Sequence, residues 1–140
     1  MGKTLALISK IHKKGNDFII KQLKLNGIEG LVPSHGDILI ALYHNKKMTM
    51  NGIAKKINRT KPTVTVLVDK LEKLGFVERE ICADDSRCTN ICLTAEGEDF
   101  KPVFDKISKG LDNILYKNLS KAEIYMLDEI LEKIAGPAVK

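Results

Sequence analysis

One short passage limits the folds open to this chain more than its overall composition does. Residues 58–80 read NRTKPTVTVLVDKLEKLGFVERE, and their β-branched side chains would suit a strand. The apolar residues nevertheless recur at positions i, i+3, i+4, i+7 and i+10, which are Val64, Leu67, Val68, Leu71 and Leu74. This spacing places them on one face of a helix, and the passage therefore predicts a helix and not a strand.

Local signals set both ends of this helix. Thr60 can accept a hydrogen bond from an N–H group of the first turn. Pro62 lies in that turn, where its missing N–H has no cost. Gly75 stands where a glycine commonly follows the last helical residue.

A shorter helix is predicted just before it, over residues 49–57, with Thr49 as its N-cap. The polar residues Asn58 and Arg59 form a tight turn between the two helices. Two helices joined in this way predict a helix-turn-helix over about residues 49–75.

Two short strands are predicted after the helix-turn-helix, at residues 76–82 and 90–93, with a polar turn between them. A hairpin in this position is a wing, here about residues 76–94. Together with a helix that begins at Pro33, these elements form a winged core over residues 33–96. The predicted fold class is mainly α with a small β-hairpin wing.

Further helices are predicted at both ends of the chain, over residues 4–25 and 98–135. Gly15 and Asn16 interrupt the first pattern and allow a bend. Pro102 predicts a late start or a kink in the second region. Both terminal regions are apolar enough to need a partner, and the central domain is small.

The positive charge of the chain is concentrated in one segment. Residues 46–79 hold nine basic and three acidic side chains, a net charge of +6, which leaves −1 for the rest of a chain whose total is +5. A basic block within an otherwise neutral protein is typical of a surface that binds a polyanion, although it also fits a solvated lysine-rich face.

The face of the second helix that does not pack on the core predicts contact with DNA. A helix can enter the major groove only if its leading side chains allow a close approach, and threonine and lysine can bond to base edges or phosphates. The helix N-terminus adds partial positive charge. The candidate DNA-binding residues on this helix and in the turn before it are Arg59, Thr60, Lys61, Pro62, Thr63, Thr65, Val66 and Lys70.

Several motifs together give the chain a family resemblance. The passage TVTVLVDKLEKLGFVERE, followed by DDSRCTNICLTAEG, resembles the MarR family of winged helix-turn-helix regulators. The wing carries the most specific part, Asp85-x-Arg87 and then Leu93-Thr94-x-x-Gly97. The resemblance covers essentially all of residues 1–140 and implies a single MarR-type domain.

The resemblance also implies a mechanism. Members of the family are homodimers on pseudo-palindromic double-stranded operators, usually as repressors, and here residues 4–25 and 98–135 would be the dimerisation helices. Arg87 matches the wing arginine that enters the minor groove, and Asp85 would orient it. Val66 departs from the cation or polar residue of many members, and an apolar contact with a thymine methyl would replace that contact.

A small ligand or another signal would release such a repressor from DNA. Family members often hold an aromatic or phenolic effector near the start of the second helix, where His35 lies in this chain. His35 is therefore a candidate effector-pocket residue, although it equally suits a polar residue at a helix start.

Three cysteines, Cys82, Cys88 and Cys92, leave a further alternative open. Their odd number does not make a disulfide framework, and their spacing is not a known zinc pattern. The strands could bring Cys82 near Cys92 to form a thiol- or metal-responsive site. In the simpler interpretation, small apolar side chains fill the hairpin.

The sequence lacks several patterns that would indicate a membrane protein, a secreted protein or an enzyme. No apolar run is long enough for a membrane span and no signal peptide is recognised, which predicts a cytoplasmic protein. No nucleophile, base and orienting residue come together in the sequence, and no phosphate loop or cofactor motif is found, so an enzyme is not expected. The alternatives to a sequence-specific regulator are a non-specific architectural DNA-binding protein and a protein-interaction module.

Overall fold

The computed structural model describes residues 2–83 and 85–137, with the backbone alone for residues 85 and 86. Ten elements follow one another along this part of the chain. They are α1 (Thr4–Leu25), α2 (Pro33–Asn45), β1 (Lys47–Thr49), α3 (Met50–Ile57), α4 (Lys61–Lys73), β2 (Val77–Cys82), β3 (Asp85–Leu93), α5 (Ala95–Asp99), α6 (Lys101–Tyr116) and α7 (Lys121–Ala135).

The predicted helix-turn-helix is confirmed as α3 and α4. Thr49 Oγ1 accepts from the N–H of Gly52 at 3.0 Å, and Thr60 Oγ1 accepts from the N–H of Thr63 at 3.4 Å, so both threonines are N-caps. Asn58 takes a left-handed conformation in the turn, with φ 56°, which lets the chain reverse direction in one residue. The predicted apolar face of α4 is buried at Val64, Leu67, Val68 and Leu71.

The wing is an antiparallel sheet with strand order β1-β3-β2. Its central strand, β3, begins at Asp85, earlier than the predicted strand over residues 90–93. Strand β1, directly before α3, was not predicted from the sequence. This three-residue strand forms because Met48 pairs with Ile91 of β3, and Ile91 is fully buried.

The core lies between α2, α3, α4 and the sheet, with fully buried Ile38, Leu42, Ile53 and Leu71 at its centre. Helix α4 therefore packs on the core through its buried apolar face, and its opposite face lies on the surface of the molecule.

A short hydrogen-bonded junction joins the end of α4 to the start of the C-terminal helices. The hydroxyl of Thr94 donates to the carbonyl of Gly75 and accepts from the N–H of Gly97, the latter at 3.0 Å. The hydroxyl of Tyr43 donates to the carbonyl of Gly97 at 2.9 Å. Phe76 stacks on Phe100 with ring centroids 4.7 Å apart. The winged core and the C-terminal helices thus meet in a packed joint.

The N-terminal helix α1 is continuous through Gly15 and Asn16, so the interruption of the sequence pattern there does not end the helix. Gly15 faces α6 instead, where an added Cβ atom would lie 3.3 Å from Leu111. At Gly110 of α6, an added Cβ would lie 2.7 Å from the ring of Phe18. These glycines let α1 and α6 approach closely, which is the reason that the sequence pattern was interrupted.

The break predicted at Pro102 is confirmed, since α5 ends at Asp99 and Pro102 lies in the first turn of α6. The first half of α1 and the whole of α7 keep large apolar side chains in solvent. Examples are Leu5, Ile11, Tyr125, Met126, Ile130 and Ile134. Within the described residues, no helix combines the length and the apolar character needed to cross a membrane.

Candidate nucleic-acid interface

A polar notch opens between the N-termini of α3 and α4 and the wing. Three cationic side chains face it, from α4, β2 and β3, together with hydroxyl and amide groups that can bond to phosphate oxygens. Its lining residues are Thr49, Met50, Asn51, Lys61, Thr65, Arg79, Arg87, Cys88 and Thr89. The structure thus brings together three residues of the predicted set, Lys61, Thr65 and Arg87.

The exposed side of α4 presents two threonines in different hydrogen-bonding states. Thr63 Oγ1 accepts a hydrogen bond from the hydroxyl of Thr60 at 3.0 Å, so its own O–H remains available as a donor. Thr65 donates to the carbonyl of Lys61 at 3.0 Å, so its hydroxyl can only accept from another molecule. The two side chains therefore offer opposite hydrogen-bonding functions to a ligand.

Val66 lies on the same exposed side, and 68% of its surface is accessible. An isolated apolar side chain of this kind can contact a methyl group within the groove. Pro62 is also exposed, in the first turn of α4. Arg59 lies in the turn before α4, where its guanidinium donates to the carbonyl of Asn58 at 3.4 Å.

Lys70 lies apart from the notch. An added Cβ at Gly30 would come within 2.9 Å of Lys70 Nζ, so this side chain rests on the loop between α1 and α2. Its charge also acts on His35 at the start of α2. Lys70 therefore lies on the side of α4 that faces away from the notch, whereas Lys61 faces the notch together with Arg87 of β3.

Arg79 lines the notch but is not among the residues predicted to contact DNA. In the sequence it is only one of the nine basic residues of the segment 46–79. It extends from β2 to α4, where its guanidinium forms ion pairs with Asp69 and Glu72, the second at 3.6 Å. The alternation of β2 gave a usable signal, because Arg79 shares a strand face with the buried Val77. That face is the one turned towards the helices.

Of the two predicted wing residues, Arg87 and Asp85, the structure describes the side chain of Arg87 alone. Arg87 is exposed on β3 and lines the notch. The side chain of Asp85 lies outside the described residues, so the predicted contact between Asp85 and Arg87 stays a prediction.

The cysteines differ from the expectation. Cys82 and Cys88 form a disulfide across the hairpin, with their Cα atoms 5.3 Å apart. Cys82 does not meet Cys92, because the register places Cys92 opposite Glu78. The Cys92 thiol donates to Glu80 at 3.5 Å, and burial raises its pKa, an effect that Glu80 increases. Within the described part of the chain, no group of three or more metal-binding side chains is found.

A second, apolar cavity of about 190 Å³ lies between α1, α2 and α6. Phe100 and Phe104 form part of its wall, and Asp37 and Ser108 are among its few polar residues. His35 stands beside this cavity at the start of α2, where its Nδ1 accepts from the N–H of Val32, a lining residue, at 2.8 Å. Burial lowers the pKa of His35, and the charge of Lys70 lowers it further.

A helix-turn-helix with an exposed second helix, a hairpin wing and a cationic notch between them defines the winged helix-turn-helix class of proteins. The sequence model of the MarR family matches residues 31–89. The chain belongs to the MarR family, whose members are winged helix-turn-helix transcriptional regulators.

Individual relatives agree with this assignment. The chain is 35% identical over 114 residues to the transcriptional repressor YetL of Bacillus subtilis, and this alignment covers 76% of the chain and 67% of YetL. It is 26% identical over 133 residues to the regulator MhqR of the same organism, and this alignment covers 94% of the chain and 89% of MhqR. Among solved structures, the S. aureus MepR–DNA complex is 28% identical with a TM-score of 0.79, over 93% of each chain.

Proposed function

We propose that the chain is a homodimeric repressor that binds a pseudo-palindromic operator through α4 and the wing. The observation that carries this proposal is the placement of Arg87 and Lys61 on two sides of one notch beside the exposed face of α4. The relatives support it, since YetL is named a repressor and MepR is seen on DNA.

In this proposal, α4 lies in the major groove and its N-terminal turn faces the phosphates. Thr63 donates to an acceptor on a base edge, such as guanine O6 or thymine O4, whereas Thr65 accepts from an amino group. Val66 contacts a thymine methyl. Arg87 enters the adjacent minor groove, and Lys61 and Arg79 approach the phosphate backbone between the two grooves. Arg59, Thr60 and Pro62 stand at the entry to this surface, while Lys70 contacts DNA only at its far margin.

The terminal helices supply the second half of the site. Homodimers are typical of the family, and the exposed apolar residues of α1 and α7 need a partner. A second copy that covers them would place two α4 helices about 34 Å apart, or a multiple of this distance, to match two half-sites. Residues 4–25 and 98–135 are accordingly the proposed dimerisation regions of a single-domain protein.

The apolar cavity is the proposed effector site. An apolar cavity of about 150 Å³ holds benzene, so one of about 190 Å³ suits a small aromatic or phenolic compound. His35 would act there through its bond to Val32, which fixes the wall of the cavity. A ligand that binds better to a dimer with altered half-site spacing would release the protein from DNA. The proposed location of such a regulator is the cytoplasm.

The test is binding of the purified protein to the DNA upstream of its own gene and to random duplex of equal length, over a series of salt concentrations. We expect the affinity for the upstream DNA to exceed that for the random duplex by about a thousandfold at physiological salt. Arg87→Ala should weaken binding and lower the salt slope by about one, whereas Lys101→Ala, in an ion pair with Asp105 on α6, should change neither.

Equal binding to both duplexes in this experiment would contradict self-regulation. Strong salt dependence with no preference for any sequence would favour an architectural protein on the same basic surface. If neither duplex were bound at low salt, the proposed interface itself would be wrong.

A further inference from the structure

The wing carries a disulfide, Cys82–Cys88, that the proposed contacts with DNA do not use. We propose that Cys82 and Cys88 form a thiol–disulfide exchange site, which reacts with small dithiols and disulfides and sets the affinity of the wing for DNA. The proposal rests on the proposed function, because its output is the contact of Arg87 with DNA.

The register of the hairpin explains why these two cysteines meet. Ile81 pairs with Thr89, so the ladder brings the residues next to this pair, Cys82 and Cys88, close together, although Cys82 itself pairs with Asp85 beyond the register shift. Their Cα separation of 5.3 Å lies within the range that a disulfide spans. The regular pairing ends here, since the register shifts between Ile81 and Cys82. The disulfide therefore joins the two strands where the hydrogen-bonded ladder becomes irregular.

The surroundings of the pair favour exchange with a dissolved thiol. Both cysteines are half-buried, so a small reagent can reach them. Cys88 lines the notch together with Lys61, Arg79 and Arg87. Cations beside a sulfur favour its thiolate form, which is the form that attacks a disulfide and the one that leaves when a disulfide is reduced.

Cys92 provides a contrast within the same strand. Its neighbours are the carboxylates of Glu80 and Glu78, and these raise its pKa together with burial. The thiol of Cys92 is therefore held in its protonated form, which is a poor nucleophile. Of the three cysteines, Cys88 is the one that lines the cationic notch.

The reaction balances as an exchange between two sulfur pairs. A thiolate of a small dithiol attacks one sulfur of the Cys82–Cys88 bond, that bond breaks, and the departing cysteine thiolate takes up a proton. The second thiol of the reagent then attacks the mixed disulfide and releases the other cysteine as a thiol. Two cysteine thiols and one cyclic disulfide of the reagent result, and an oxidised dithiol reverses each step.

The bond affects DNA binding because Arg87 directly precedes Cys88 in β3. In the oxidised form the backbone that carries Arg87 is tied to β2. In the reduced form the tip of the wing must be ordered when it enters the minor groove, and this ordering weakens binding. Immobilising one long side chain with its segment corresponds to a difference of about threefold to tenfold in affinity.

The experiment uses the full chain equilibrated with mixtures of reduced and oxidised dithiothreitol. Free thiols are alkylated and located by mass spectrometry, and the dissociation constant for one operator duplex is measured in the same mixtures. We expect the alkylation of Cys82 and Cys88 to rise together as the affinity falls by about threefold to tenfold. Cys92→Ser should keep this dependence, whereas Cys82→Ser and Cys88→Ser should each remove it.

Each other outcome overturns a defined part of the proposal. If Cys82 and Cys88 stay alkylated in every mixture, the exchange site does not exist. If the bond forms but both forms bind the duplex equally, the bond has no regulatory effect on an intact DNA-binding protein. If neither form binds any duplex, the proposed function fails, and the regulatory role of the bond fails with it.

Discussion

Arg79 of β2 and Asp69 of α4 form an ion pair that connects the wing to the helix proposed to read DNA. A second contact joins the same guanidinium to Glu72, one turn further along α4. Arg79 thus lies against α4 and also lines the notch that holds Lys61 and Arg87. This one side chain therefore contacts both α4 and the notch.

Asp69→Asn should disturb the position of Arg79 with little effect on folding. The pair is largely exposed to solvent, so we expect the free energy of unfolding to fall by less than about 1 kcal/mol. The affinity for DNA should fall by about threefold to tenfold, because Arg79 loses its fixed position. Denaturant unfolding and titration with an operator duplex measure the two effects.

Glu72→Gln is the matched control for this prediction. It makes the same change of charge on the same helix but removes a longer contact of 3.6 Å, so we expect a smaller loss of affinity. If both variants bound DNA more tightly than the wild type, the added positive charge would outweigh orientation and the prediction would be wrong.

Val66 should recognise one thymine by its methyl group. Replacing that thymine with deoxyuridine removes the methyl and leaves the hydrogen-bonding edge unchanged, so wild-type binding should weaken by about 0.8 kcal/mol. Val66→Ala should bind both duplexes almost equally, because the partner of the methyl is gone. A scan of each thymine in the half-site, performed with both proteins, tests this, and a wild-type protein indifferent to every methyl would contradict it.

Gly97→Ala should destabilise the junction between the winged core and the C-terminal helices. The added Cβ would lie 2.1 Å from the backbone carbonyl oxygen of Phe76, which cannot move without displacing β2. We expect the free energy of unfolding to fall by about 3 kcal/mol.

Gly36→Ala is the control, since its Cβ would meet Phe104 at an ordinary 3.6 Å. It lies within α2, where alanine favours the helix over glycine by up to about 1 kcal/mol. Thermal or denaturant unfolding of both variants should therefore give changes of opposite sign, and similar losses in both would contradict the prediction.

His35 should make folding sensitive to acid. Its pKa in the folded protein lies below the ordinary value of 6.5, because burial and the charge of Lys70 disfavour the protonated ring. The unfolded chain therefore binds a proton at a higher pH than the folded chain does. Stability should fall as the pH drops below about 6.5 and level off below the folded pKa.

His35→Gln separates this effect from other titrating groups. A glutamine at the third helical position can still accept from the N–H of Val32, as in a capping box, but it does not titrate. Its stability should therefore decline less between pH 7 and pH 5 than that of the wild type. Parallel pH profiles of the two proteins would show that His35 is not the sensitive group.

Elements defined by local signals were predictable from the sequence. The helical face from Val64 to Leu71, the caps at Thr49 and Thr60 and the break at Pro102 each depend on residues close together in the chain. The family resemblance rests on the same kind of short-range spacing.

Features that depend on strand register were not predictable in the same way. Strand β1 exists only because of its pairing with β3, and the disulfide partner of Cys82 depends on the register shift that follows Ile81 in the hairpin. The role of Arg79 likewise requires the angle between the wing and α4. For Gly15, the sequence shows a missing side chain but not the helix that occupies the space.

The junction at Thr94, Gly97 and Phe76 has an evolutionary consequence. It connects a core that is proposed to read bases to terminal helices that we expect to set the distance between two such cores. If the proposed interface is correct, base preference and operator spacing are separate heritable traits, one encoded in a few exposed side chains of α4 and the other in the terminal helices. Duplicated genes of this type could diverge along either trait while the other is conserved.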